Sequence, residues 1–178
     1  MRLPGTVDAY KLRGLALRQL TFADKAQMMR MQETVLSALP DPAWYFPSEE
    51  WEFDEWLNER EALGYFAGNE LAGFAVASPA SARGERSYAG KLGDPVEDTF
   101  DFHDVMVLPA YRGRGLHTMF LKLFEEMARA LDGRAIYATV DPGNGASWRN
   151  FEKAGYACVA EKTAYDGRMR RYYRLTLL

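Results

Sequence analysis

Between Phe100 and Leu131 a strand-like run passes through a glycine-rich turn into the most strongly patterned helix of the chain. Phe100 to Leu108 has the alternation and aromatic content of a strand, and Pro109, which cannot donate to a ladder, ends it. Arg112-Gly113-Arg114-Gly115 follows. From Gly113 to Leu131 the residues Leu116, Phe120, Leu123, Phe124, Met127 and Leu131 recur at helical spacing. The run thus commits the chain to a sheet that hands over to a packed helix. It also suits an anion, because glycines let backbone amides approach a ligand and the free N–H groups at a helix start favour phosphate. On these residues alone, a plain glycine turn with two surface arginines is the competing reading.

The remaining elements fall around this run. Leu12 to Leu20 alternates as a first strand. Thr21, with Asp24 three residues on, opens a helix through about Leu39, and after the proline-rich DPAWYFP a second, acidic helix runs from Ser48 to about Glu61. Leu63 to Ala67 and Glu70 to Ser78 read as strands joined by a Gly68-Asn69 hairpin turn. Arg134 to Val140 is a strand, Gly145 to Ala154 a helix stopped by Gly155, and Tyr156 to Ala164 with Met169 to Leu177 a terminal hairpin through Asp166-Gly167. Pro79 to Glu97, rich in Gly, Ser, Pro and charge, is either a binding loop or disordered. The order β, α, α, β, β, β, α, β, α, β, β in 178 residues describes one mixed α+β domain over residues 1–178, with residues 1–11 as a loose N-terminus.

Charge is divided along the chain. Residues 105–178 hold 12 Lys/Arg against 7 Asp/Glu, a net +5; residues 1–104 hold 10 against 18, a net −8. A polyanionic ligand on the basic half and a cationic one drawn to the acidic half would use that asymmetry; solvated helix faces are the plainer account. Arg168, Arg170, Arg171 and Arg174 cluster, but alternation splits them between two faces, so a nucleic-acid partner is not expected. No stretch approaches the ~18 apolar residues of a membrane span and no signal peptide opens the chain, which predicts a cytoplasmic protein without membrane partners. The single cysteine, Cys158, leaves no intramolecular disulfide or cysteine-based metal cluster, and in the alternating run Tyr156 to Ala160 it reads as a buried strand residue.

Among phosphate-binding turns, the Walker pattern is absent and the dinucleotide fingerprint fails at Thr118. With Arg112, Gly115 and His117 the turn instead resembles the signature of the GNAT N-acetyltransferase superfamily: Gln or Arg, two residues, Gly, one residue, then Gly or Ala. His117 departs from the small final residue. A second family motif has matching positions at Asn144, Ser147, Lys153, Gly155 and Tyr156, with Phe151 where the pattern has Tyr. The resemblance covers about Leu12 to Leu177 and implies a central, mostly antiparallel seven-stranded sheet flanked by about four helices. It implies acetyl-CoA as acyl donor, no metal, and an amine acceptor, small molecule or peptide; a homodimer is left open. It further implies that the amides of Gly113, Arg114, Gly115, Leu116, His117 and Thr118 hold the coenzyme A diphosphate beside Arg112, and that backbone groups of Val105, Met106 and Val107 pair with pantetheine. Asn144, which also reads as a helix cap, would contact the pantetheine arm, and Ser147 would lie near the thioester. His117 would crowd the diphosphate or donate to it. Phe151 replaces a tyrosine that in many members protonates the departing thiolate, so that help is either dispensed with or comes from water, Tyr156 or Tyr165.

An amine must lose a proton before it attacks a thioester, so a base is required. Period-two alternation puts Asp101, His103, Val105 and Val107 on one face of the strand and Phe102, Asp104 and Met106 on the other, which predicts that His103 and Asp104 cannot share a pocket. The family's polyamine branch, which this segment resembles, carries an acidic base at the position of His103. His103 is therefore the expected base, with Asp101 and Asp104 next, and a core histidine as the plain alternative. Asp94, Glu97, Asp98, Asp101 and Asp104 contain no Lys or Arg among them, which favours a cationic acceptor such as a polyamine; Trp44, Tyr45, Phe46, Trp51 and Trp56 would supply aromatic faces or simply core. The rival to an enzyme, prompted by Phe151 and His117, is a non-catalytic acyl-CoA-binding regulatory module.

Overall fold

The computed structural model describes residues 10–177. Its strands are β1 (Ala16–Gln19), β2 (Ala62–Ala67), β3 (Glu70–Pro79), β4 (Thr99–Val107), β5 (Ala135–Val140), β6 (Ala157–Thr163) and β7 (Met169–Thr176). The helices are α1 (Lys25–Ser37), α2 (Glu50–Asn58), α3 (Tyr88–Leu92), α4 (Leu116–Arg129) and α5 (Gly145–Lys153). The strands form one seven-stranded sheet in the order β1-β2-β3-β4-β5-β7-β6. β4 and β5 run parallel; the other neighbours are antiparallel. This is the expected mostly antiparallel α+β sheet.

Amphipathicity decides the layers. The apolar stripe of α4 puts Phe120, Leu123 and Phe124 against Phe102, Ile136 and Ala138 on one face of the sheet, and Phe151 of α5 joins them. On the other face, Met28 and Met31 of α1 and Phe53 and Trp56 of α2 pack against Phe74, Val76 and Met106. A smaller cluster sets Tyr88 and Ala89 of α3 on Tyr137 and Tyr172. The buried guanidinium of Arg170 on β7 fastens three segments: it donates to Asp141 Oδ2 at 2.5 Å, to Asp166 in the β6–β7 turn, and to the Ala43 carbonyl of the DPAWYFP segment.

Pro79 to Glu97, left open between a binding loop and disorder, holds two 3-10 turns, Ala80–Ala82 and Gly84–Arg86, that lead into α3, whose cap Ser87 accepts from Gly90 N–H at 2.9 Å. Other expectations are corrected. The second helix is capped by Glu49, not Ser48; Ser48 N–H is used instead by Gln32 at 2.9 Å. Cys158 is exposed, because β6 is the outermost strand and is solvated along most of its length. Of the loose N-terminus expected over 1–11, residues 1–9 lie outside the described residues, whereas the Tyr10 carbonyl is held by the buried hydroxyl of Tyr65 at 2.6 Å. Among the described residues, no helix is long and apolar enough to cross a membrane.

The alternation assigned to β4 also fails. Asp104 pairs with Val76 and Phe102 with Ala77, so His103 is an extra residue without a partner, a β-bulge. The bulge resets the phase of the strand. Phe102, Val105 and Val107 pack on the α4 side, while Met106 packs on the α1–α2 side. His103 reaches Ser78 and Asp104 reaches Tyr45 and Ser48. His103 and Asp104 therefore open into the same cavity.

Candidate active site

β4 pairs with β5 only from Thr99 to Phe102, against Ala135 to Ala138. Beyond that point β4 stays with β3 and β5 with β7, and the two diverge. A cavity of about 970 Å³ lies at the divergence. Its walls are Asp101–Val107 of β4, the turn into α4, Thr139 and Val140 of β5, the inner face of α5, and residues of α2 and the α3 segment.

At one end stands the start of α4. Gly113 and Gly115 hold φ of +74° and +84°, in the left-handed region, and a Cβ on either would meet nothing within 4 Å. That backbone turns the first-turn amides of α4, which have no intrahelical acceptors, toward open space. Arg112, Gly113, Gly115, Leu116, His117 and Thr118 line the cavity. Arg114 does not; its guanidinium lies 5.0 Å from the Tyr111 ring centroid. On the β5 side, Val105, Met106 and Val107 have no strand partner, so their backbone groups there are free for an extended ligand. Asn144 caps α5, accepting from Ser147 N–H at 3.1 Å, and both residues line the cavity.

His117 turns inward. Its ring is parallel to Phe102, meets Phe151 edge-on with centroids 5.2 Å apart, and places Nδ1 3.1 Å from Asn150 Nδ2. Burial pushes its pKa down to about 4, so the ring is neutral at neutral pH. Phe151 is core, packed on Phe102, Tyr156 and Tyr173. Of the two tyrosines considered in its place, Tyr156 is buried with Phe151 and does not line the cavity, whereas Tyr165 does, its hydroxyl 3.3 Å from Thr139 Oγ1.

The opposite end is built around the bulge. His103 Nε2 lies 2.6 Å from Ser78 Oγ, and its ring packs on Tyr88 with centroids 5.7 Å apart. Burial, then the nearby charges of Arg83 and Lys91, holds its pKa well below the usual 6.5. The Tyr45 hydroxyl stands 2.7 and 2.6 Å from the two oxygens of Asp104, with Ser48 Oγ at 3.5 Å. Burial raises the Asp104 carboxyl to about 7. Asp101 is fully buried; Oδ2 accepts Tyr88 N–H at 3.0 Å, and burial raises this carboxyl also to about 7.

The acidic cluster expected over 94–104 does not assemble here. Asp94 is taken by Tyr137 and Arg174, Glu97 and Asp98 are exposed, and only Asp101 and Asp104 reach the cavity. Glu52 and Glu55 of α2 and its cap Glu49 line it, as do Trp44, Tyr45, Phe46, Trp51 and Trp56; Trp56 belongs to the core as well. Reasoning from sequence missed Tyr45 and Ser48 as partners of Asp104, and Arg83 and Lys91 as cavity residues; no local motif marks them. Among the described residues, no group of three His, Cys, Asp or Glu could hold a metal ion.

The family model described as the acetyltransferase (GNAT) family matches residues 29–156. No curated protein matches the chain by sequence. Among solved structures, the Salmonella typhimurium protein yncA, solved with its cofactor acetyl-CoA, superposes with a TM-score of 0.68 at 21% identity, covering 93% of this chain and 95% of that one. An N-acetyltransferase from Staphylococcus aureus Mu50 gives 0.69 at 17%, covering 92% and 99%. The ribosomal-protein-S18-alanine N-acetyltransferase of Escherichia coli gives 0.68 at 17%, covering 92% and 94%. At these identities the likeness is one of fold.

Proposed function

Because the chain belongs to the GNAT acetyltransferase family, we propose that its cavity takes acetyl-CoA between β4 and β5 and that an amine entering from the α2–α3 side is acetylated there. The observation that carries this reading is the divergence of β4 from β5 beside the glycine turn of α4. The residues present fit the donor. The α4 amides with Arg112 would hold its diphosphate, the free edge of Val105–Val107 its pantetheine amides, and Asn144 and Ser147 the far side of that arm. Acetyl-CoA supplies an acetyl thioester: the amine nitrogen forms the new C–N bond, the C–S bond breaks, and the sulfur leaves as a thiolate that takes up a proton.

Asp104 is assigned the proton of the incoming ammonium. A carboxyl at about 7 is matched to neutral pH, and Tyr45 and Ser48 hold it in place. His103 remains neutral and orients the acceptor, since its low proton affinity makes it the weaker base. A thiol pKa of about 8 to 9 makes the thiolate a tolerable leaving group, so Phe151 does not preclude turnover. Water, or Tyr165 at the cavity wall, would reprotonate the sulfur. For the acceptor, Glu49, Glu52 and Asp104 with the faces of Tyr45 and Trp51 support a cationic nitrogen.

Release of free thiol from acetyl-CoA, measured against a panel of amines, tests the reading. Amine-dependent release with an N-acetylated product identified by mass is expected. If coenzyme A binds while no amine releases thiol above background, the regulatory-module reading replaces it.

A further inference from the structure

The α3 side of the cavity carries charge opposite to the α2 side. Arg83, between the two 3-10 turns, lines the cavity with a side chain only 16% exposed. Its Nε and Nη2 are buried and make no hydrogen bond among the described residues. Glu61 Oε2, itself buried and without a hydrogen bond, forms an ion pair with Nη2 at 3.6 Å, a separation beyond hydrogen-bond distance. Lys91 of α3 also lines the cavity, half-buried, with its ammonium 4.7 Å from the Tyr165 ring centroid and no ion-pair partner among the described residues. A buried guanidinium with unmet donors is costly unless something accepts from it.

The wall that presents these cations is rigidly built. Ser87 Oγ donates to the Gly84 carbonyl at 2.6 Å, and a Cβ on Gly90 would lie 2.5 Å from that same oxygen. Tyr88 N–H ties the segment to Asp101 of β4. Both cations influence His103 and Asp101 electrostatically, which puts them at the acceptor end, away from the start of α4.

Building on the acetyl-transfer reading, we infer that Arg83 and Lys91 form an anion subsite and that the acceptor is an amine bearing a carboxylate. Its ammonium faces Asp104 and its carboxylate accepts from Arg83. A carboxylate fits the forked donors of a guanidinium, and a long polycation would instead have to lie against two cations.

The test compares acceptors that differ in one group, 4-aminobutyrate with putrescine and lysine with cadaverine, in the parent enzyme and in Arg83→Gln and Lys91→Met. The carboxylate-bearing member of at least one pair should be used about tenfold or more efficiently, and Arg83→Gln should remove that advantage through KM while changing the diamine less than about threefold. Coenzyme A affinity, measured alongside, should change little. A preference for the diamine in both pairs overturns the inference, as does an equal loss for both members in Arg83→Gln. Butyrate, which has the carboxylate and lacks the amine, provides a readout independent of turnover. Ligand-observed NMR should detect its binding to the coenzyme A-loaded parent and not to Arg83→Gln; equal binding to both overturns the subsite. Arg83-dependent butyrate binding without thiol release from any amine would leave the subsite standing and remove the acetyl-transfer reading.

Discussion

Asp104 is a carboxyl that the fold keeps only partly ionised at neutral pH, and its protonation should govern the rate. With its pKa near 7, kcat/KM should rise through about pH 7 as the carboxylate forms. Asp104→Asn should remove that limb and lower kcat by roughly 10² to 10⁴ without weakening coenzyme A binding; a pH–rate profile with a coenzyme A titration checks both. Asp101 offers a stability test. Its folded pKa of about 7 lies above its ordinary 3.8, so the folded state binds the proton more tightly and stability falls as pH rises between those values. Asp101→Asn, which can still accept from Tyr88 N–H, should therefore raise the melting temperature more at about pH 8 than at about pH 5. At this scale the sequence was informative where the backbone does the work, as at Gly113, Gly115 and Asn144. It was uninformative where a distant segment supplies the partner: nothing near Asp104 announces Tyr45, 59 residues away.

At the scale of elements, legibility followed the source of each element's stability. The amphipathic α4 was readable because its pattern is its own, whereas α3 has only five residues and depends on Ser87, Tyr88 and contacts with β4. The bulge at His103 leaves no mark in composition, yet it decides which side chains share the cavity. Two predictions belong here. Gly115→Ala meets no steric obstacle but imposes a left-handed conformation on a residue with a Cβ, which should cost about 1 to 2 kcal/mol and weaken coenzyme A binding, as read by chemical denaturation and titration. Arg170→Met strands Asp141 and Asp166 without their cation, so a loss of about 3 to 5 kcal/mol is expected in urea unfolding. Replacing both aspartates by Asn in the same variant should restore part of that loss.

For the whole molecule, the short overlap of β4 with β5 is, among the described residues, the only ladder joining the β1–β4 half of the sheet to the β5–β7 half. A ligand bridging the divergence should act on global stability. Coenzyme A at about 100 times its Kd should add about 2.7 kcal/mol, seen as a rise in melting temperature of roughly 2 to 4 °C per kcal/mol. Hydrogen exchange should slow at Val105, Val107 and the first turn of α4. The sheet would thus borrow part of its continuity from the coenzyme A moiety, which outlasts each catalytic cycle. Cellular degradation samples transiently opened chains, so the lifetime of the enzyme would follow the total supply of coenzyme A and its thioesters: durable when that pool is plentiful, and cleared sooner when it is scarce.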